Sequence, residues 1–361
     1  MDPGPPALPG GFVDPYVGSM KRLVILGGGT GGTIMANRLR SEYAEEALSI
    51  TVVDQDDHHV YQPGLLFVPF GLADPEEISR TRHRQFHKGI DFQRAEVDRV
   101  DVDIDRVYLT DGTTYTPEGA AALESALAGF RQRRLVVNVV DMPIKCPVAP
   151  LEFSFLADWY FTQRGIRDQV ELVYVTPLDG AFTKPVASAT LAGLLEEKGV
   201  ELVTEFNTGE VDGVAGTLTG FDGREVPFDL AVVIPLHSGA EYVGRSPGLG
   251  DELNFVPTDE HTLQSKVRPN IFAIGDATSV PASKAGSVTH FEGETLTENV
   301  RNFLAGRDLE PGFDGHANCF IETGFHKALL IDFNYETEPL PGRFPNAVGP
   351  MPLLKESRMN H

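Results

Sequence analysis

Apolar positions along the chain alternate between two spacings. KRLVIL (21–26), SITVVD (49–54), LVVNVV (135–140) and VELVYV (170–175) are short, nearly unbroken apolar runs, which predicts strands buried on both faces. TIMANRLRSE, LEFSFLADWYF and VASATLAGLLEEKG place apolar residues three and four apart, which predicts helices with one buried face. Strand and helix follow one another through both halves of the chain, so an α/β fold on parallel sheets is expected. One unit reads from residues 20–112 and 236–305, and a second, 113–235, is inserted into it. In the second, Thr116, Pro117 and Glu118 cap a helix reaching about Phe130. The strand VELVTEF then leads to two short strands around FDGRE. Residues 306–361 form a C-terminal interface segment, and the Pro/Gly-rich stretch 1–19 reads as a disordered extension.

Composition narrows the function classes. With 41% hydrophobic and 23% charged residues the chain can bury a sizeable core, and its formal charge of −22 repels nucleic acid and anionic lipid alike. Neither a long apolar run nor a basic, apolar leader occurs near the start, so a cytoplasmic protein without a signal peptide is expected. The two cysteines, Cys146 and Cys319, are too few for a disulfide scaffold, and the ten histidines lack metal-ligand spacing, so no metal is expected.

Glycines carry the first chemical signal. Gly27, Gly29, Thr30, Gly31 and Gly32 follow the first strand, and Gly27, Gly29 and Gly32 make GxGxxG. Such a turn lets backbone approach a pyrophosphate at a helix N-terminus. Asp54 closes the next strand about twenty residues on, where an acid binds ribose hydroxyls. Both units then read as Rossmann-like, of the FAD/NAD(P) type. Far along the chain, FAIGDATSVPASKAGS places a strand, Ile271–Ile274, before Gly275 and Asp276, then a loop with Lys284 and Ala285 and a helix from about Ser287. This resembles the second FAD fingerprint of two-dinucleotide-domain flavoproteins. There the aspartate binds the ribityl chain, and the helix N-terminus stabilises negative charge on the reduced flavin. The cofactor expected is FAD.

The corresponding turn of the inserted unit is different. From Asp141 to Glu152 there is no glycine; DMPIKCPVAPLE instead holds three prolines and Cys146. A prolyl loop cannot supply the converging N–H groups that hold a pyrophosphate, which argues against a nicotinamide cofactor.

VILGGGTGGTIMAN, VDQDDHHVYQPGLLFVPFG, IKCPVAPLEF, FAIGDATSVPASKAG and HANCFIETGFHKALLIDF together resemble the sulfide:quinone oxidoreductase family, related to the flavoprotein subunit of flavocytochrome c sulfide dehydrogenase. The resemblance implies oxidation of sulfide to polysulfide or sulfur at a cysteine pair, Cys146 and Cys319, with electrons passed through FAD to a quinone. It implies that Glu152 moves protons near Cys146 and that Tyr61, Gln62 and Pro63 lie beside the flavin; read from the residues alone, Glu152 is equally a first-turn acid of its helix and QPG a plain turn. Lys145, beside Cys146, reads either as a cation that lowers the thiol pKa or as a solvated surface lysine. His237 is the histidine whose strand end returns toward the flavin. Sulfide and a quinone are the small-molecule partners expected, with peripheral contact at the inner face of the membrane; a homo-oligomer is compatible with the sequence.

Two departures keep other readings open. After Asp111 and Gly112 the chain runs into TTYTPEG without the ATG-type strand that contacts FAD in the family, leaving the first sheet one parallel strand short. The last 30 residues hold no helical apolar face for a membrane interface. The alternatives are a flavocytochrome c-like subunit, a type II NADH dehydrogenase and a non-catalytic flavoprotein copy.

Overall fold

A computed structural model of the chain describes residues 20–110, 117–131, 133–346 and 348–361. The extension 1–19, the Thr116 cap and the junction after Asp111 and Gly112 lie outside the described residues.

The first unit opens with β1 (Lys21–Leu26), α1 (Thr30–Glu42), β2 (Leu48–Asp54) and β3 (Ile90–Arg94), in a parallel sheet of order β1-β2-β3. Met35, Ala36 and Leu39 fall on one face of α1 and share a core with Leu48, Ile50 and Val52 of β2. The strand expected at Ile271–Ile274 is not formed: Phe272 makes one antiparallel bridge with Gln264, and among the described residues no ladder joins this segment to β1. A sheet propagates only through partners about 4.8 Å apart, and among the described residues no strand bridges the two. The consequence is visible on β1, where Val24 is 48% exposed at mid-strand.

The inserted unit is α2 (Pro117–Gly129), β4 (Arg134–Val139), α3 (Ala149–Gln163), β5 (Glu171–Val175), α4 (Pro185–Glu197), β6 (Val200–Val203) and β7 (Leu230–Ile234). Its sheet is parallel, in the order β6-β5-β4-β7. On the central β4, Leu135, Val136 and Asn138 are fully buried. Asn138 tolerates this because its Nδ2 donates to Thr208 Oγ1 (3.0 Å) and the Val139 carbonyl (3.3 Å). One face packs on an antiparallel sheet formed by Thr208–Asp212, Thr217–Gly220 and Glu225–Pro227, through Phe206, Leu218 and Val226.

The chain then returns to the first unit. α5 (Gly286–Leu304) lies on α1, with Arg301 Nε 3.0 Å from Glu42 Oε2 and Thr297 beside Met35. The C-terminal segment forms β8 (Ala317–Gly324), β9 (Lys327–Phe333), β10 (Gly342–Phe344) and β11 (Met351–Leu353), ordered β8-β9-β11-β10. No helix among the described residues is long and apolar enough to cross a membrane.

Lys198, just after α4, clamps this segment to the inserted unit. Its ammonium donates to the Thr323 carbonyl (2.9 Å) and lies 3.6 Å from Asp158 Oδ2 and 3.7 Å from Glu356 Oε1. Asp158 also pairs with Arg167 and Glu356 with Lys327, so each acid keeps a cation if Lys198 is removed. Lys198→Ala should therefore destabilise the protein by about 1–3 kcal/mol, less than breaking an isolated buried pair, as read from urea unfolding followed by circular dichroism.

Candidate functional site

The glycine turn after β1 is built as GxGxxG requires. Gly27 has φ +98°, and a Cβ on Gly32 would stand 1.9 Å from the Gly27 carbonyl, so neither position accepts a side chain. α1 starts at Thr30 with no side-chain cap at Gly29, and a Cβ at Gly27 or Gly29 would meet nothing within 4 Å. Open space in front of uncapped N–H groups at a helix N-terminus fits a phosphate. Asp54 sits where the ribose acid was expected, but it is already engaged: the Gly28 N–H donates to Asp54 Oδ2 (2.7 Å), and Arg82 Nη1 lies 3.3 Å from the same oxygen. Arg82 is buried over Gly28 and also pairs with Asp56 (3.2 Å). Tyr61, Gln62 and Pro63 are exposed on a short 3-10 turn, which leads to Phe70, packed 5.0 Å from the ring of Phe153 on α3.

At the second fingerprint, Gly275 turns with φ +66° and its N–H donates to Glu292 Oε2 (2.6 Å). Glu292, on α5, is 1% exposed, and burial raises its pKa to about 7. Asp276 Oδ2 is 3.3 Å from Lys145 Nζ. The Lys284 ammonium turns away to the Thr278 carbonyl (2.6 Å) and the ring of Phe255, and Ala285 forms the uncapped N-cap of α5. Both helix N-termini and both glycine turns therefore fit a dinucleotide such as FAD. The backbone contacts of an ATG-type strand are lacking among the described residues.

Onto this segment the inserted unit lowers its cysteine loop. The Cys146 N–H donates to the Lys284 carbonyl (2.7 Å), and Lys145 and Lys284 form a parallel bridge. Cys146 has φ +48°, a left-handed conformation that a non-glycine residue keeps only when its surroundings enforce it. Six residues on, in the first turn of α3, Glu152 is buried and its Oε1 accepts the Glu322 N–H of β8 (3.0 Å). Cys319 is buried on the same strand, which Ser287 of α5 also holds by donating to the Asn318 carbonyl (2.6 Å).

Cys146, Glu152 and Cys319 thus form one cluster, close enough for their charges to act on one another. Burial, then the Glu152 charge, pushes the Cys146 thiol up to about 11, and burial, Cys146 and Glu152 push Cys319 up as well. Burial raises Glu152 to about 8. Both cysteines are free thiols. The expectation that Lys145 lowers the Cys146 pKa fails, because its ammonium pairs with Asp276 while the thiol faces a buried carboxyl group. Sequence reasoning missed Arg82 and Glu292. Neither lies in a motif, and each is recognisable only once a turn distant in sequence is folded against it.

The two Rossmann-like units define the class of fold: it is that of the proteins built from two dinucleotide-binding domains. Within that class, the comparisons agree with the resemblance to sulfide:quinone oxidoreductases read from the sequence. The chain is 24% identical over 358 residues to the mitochondrial sulfide:quinone oxidoreductase of Mus musculus, spanning 88% of this chain and 79% of that one. It is 23% identical to the mitochondrial enzyme of Dictyostelium discoideum over 89% of this chain and 79% of that one. The solved structure of the sulfide:quinone oxidoreductase of Aquifex aeolicus superposes with a TM-score of 0.76 at 18% identity, covering 94% of this chain and 88% of that one. No protein-family model matches the chain.

The raised Glu152 pKa has a measurable sign. Between about pH 4.5, where an unfolded glutamate loses its proton, and about 8, the folded protein holds one proton more, so stability falls as pH rises through that window. Glu152→Gln removes this term. Its melting temperature relative to the parent should therefore rise from pH 5 to pH 8, by the equivalent of on the order of a few kcal/mol, measured by calorimetry at both pH values.

Proposed function

We propose that the protein oxidises sulfide to polysulfide or sulfur with Cys146 and Cys319 as its redox pair, FAD as cofactor and a quinone as electron acceptor. The observation that carries this reading is the convergence of Cys146, Glu152 and Cys319 beside the turn of Gly275 and Asp276. FAD, when bound, supplies the two-electron acceptor between the thiols and the quinone. Gly27, Gly29, Thr30, Gly31 and Gly32 would hold its pyrophosphate, Asp276 and the Lys284–Ala285 turn would hold its other half, and Asp54 with Arg82 would bound the site beside the first glycine turn.

With the pair oxidised to a disulfide, hydrosulfide attacks one sulfur. The S–S bond breaks, leaving a persulfide on that cysteine and a thiolate on the other. A thiolate whose conjugate acid has a pKa near 11 or above is a strong base in this setting, and it takes a proton at once. Glu152, protonated at neutral pH with a pKa of about 8, stands where it can give that proton and later recover one from incoming sulfide. Reaching a membrane quinone requires peripheral contact with a membrane, to which a net charge of −22 contributes no electrostatic attraction. On this reading the protein works at the cytoplasmic face.

The experiment is spectroscopic. Purified protein supplied with FAD should be yellow, bleached by sulfide, unaffected by NADH, and restored to its oxidised spectrum by a soluble quinone. Cys146→Ser and Cys319→Ser should each keep the flavin and lose sulfide bleaching to background; if both bleach like the parent, the cysteine assignment is wrong. Gly32→Ala, which forces a Cβ against the Gly27 carbonyl, should purify with little or no flavin. Protein that stays colourless after FAD is supplied would overturn the whole reading.

A further inference from the structure

The proposed chemistry makes no use of His237, yet this residue grips the cysteine loop. It follows β7 and meets the loop edge on: the His237 N–H donates to the Pro143 carbonyl (3.0 Å), and the Lys145 N–H donates to His237 Nδ1 (2.5 Å). The backbone N–H of Lys145 is a fixed donor, so the Nδ1 facing it carries a lone pair and the ring is neutral, with its proton on Nε2. The very next residue is Cys146, in its left-handed conformation. Such a conformation persists only where the surroundings over-determine it. On its C-terminal side the Ala149 N–H donates to the Cys146 carbonyl (2.9 Å), and on its N-terminal side the Lys284 carbonyl accepts the Cys146 N–H while His237 holds Lys145 and Pro143, the residues leading into it.

We propose that His237 is the positioning residue for Cys146: neutral, it pins the loop that presents the thiol, and protonated, it sets an N–H against the Lys145 N–H and releases it. The inference rests on reading Cys146 as the thiol that handles sulfur. Two charged groups act on the ring. Burial and the Lys145 ammonium hold its pKa below the ordinary histidine value, while Asp276, from the turn of the returning segment, pulls the other way. The hydrogen bond is therefore in place at neutral pH. It is lost only on acidification below the usual histidine range, as pH falls through the depressed folded pKa.

Hydrogen–deuterium exchange of the peptide spanning residues 142–149 tests this, with intrinsic exchange corrected, in steps from neutral pH down to the lowest pH at which the protein stays folded. In the parent protein, protection at Lys145 and Cys146 should fall about fivefold at a step on the acid side of the ordinary histidine range, the scale of one hydrogen bond. His237→Ala should exchange fast at every pH. His237→Asn, whose Oδ1 can accept the same bond but does not titrate, should stay protected through that step. Parent-like protection in His237→Ala, or a surviving pH step in His237→Asn, overturns the proposal. The two readings fail separately. A parent protein that sulfide does not bleach removes the sulfide reading and leaves the exchange result to decide the role of His237, whereas sulfide bleaching with parent-like exchange in His237→Ala removes His237 alone.

Discussion

The contact on which the site depends is a backbone hydrogen bond, from the Cys146 N–H to the Lys284 carbonyl. It joins the inserted unit to the segment returning to the first, and it forms where neither side belongs to a regular strand. Around it gather the Lys145–Asp276 ion pair, the His237 acceptor and the left-handed backbone of Cys146. Remove that contact and the thiol has no fixed relation to the turn of Gly275 and Asp276. Secondary structure alone would not restore it, because β4 and α3 only bring the loop near.

A second constraint works through burial. Glu152 is held away from water by α3 and β8, and the Glu322 N–H satisfies only one of its oxygens. A carboxyl group so placed keeps its proton near neutral pH. The two thiols are protonated for the same reason, so the cluster holds its protons rather than its charges. A site of this kind suits chemistry in which a sulfur–sulfur bond opens and a proton must be at hand, more than it suits a permanently ionised nucleophile.

Much of the fold was legible in the chain. β1, β2, β4 and β5 are short apolar runs, and α1, α3 and α4 carry apolar residues three and four apart; local pattern is enough for these because burial on a known number of faces sets the spacing. The glycine turn was equally legible, since only glycine can stand at Gly27 and Gly32. What failed was the strand at Ile271–Ile274. Its apolar residues satisfy the strand pattern, but a strand needs a neighbour, and among the described residues only the single bridge from Phe272 to Gln264 is there.

The sequence by itself determined the class of fold, the phosphate turn, the absence of glycine from the second turn and the presence of two cysteines in specific contexts. All of these are written in residue types at short spacing. Only the tertiary structure decided that Glu152 is buried rather than a solvated first-turn acid, that Lys145 serves Asp276 and not the thiol, and that Arg82, Glu292 and His237 hold the three loops in place. Those roles are contacts between residues far apart in sequence. Their chemistry is set by the dielectric and the partners that packing supplies, and no local pattern encodes either.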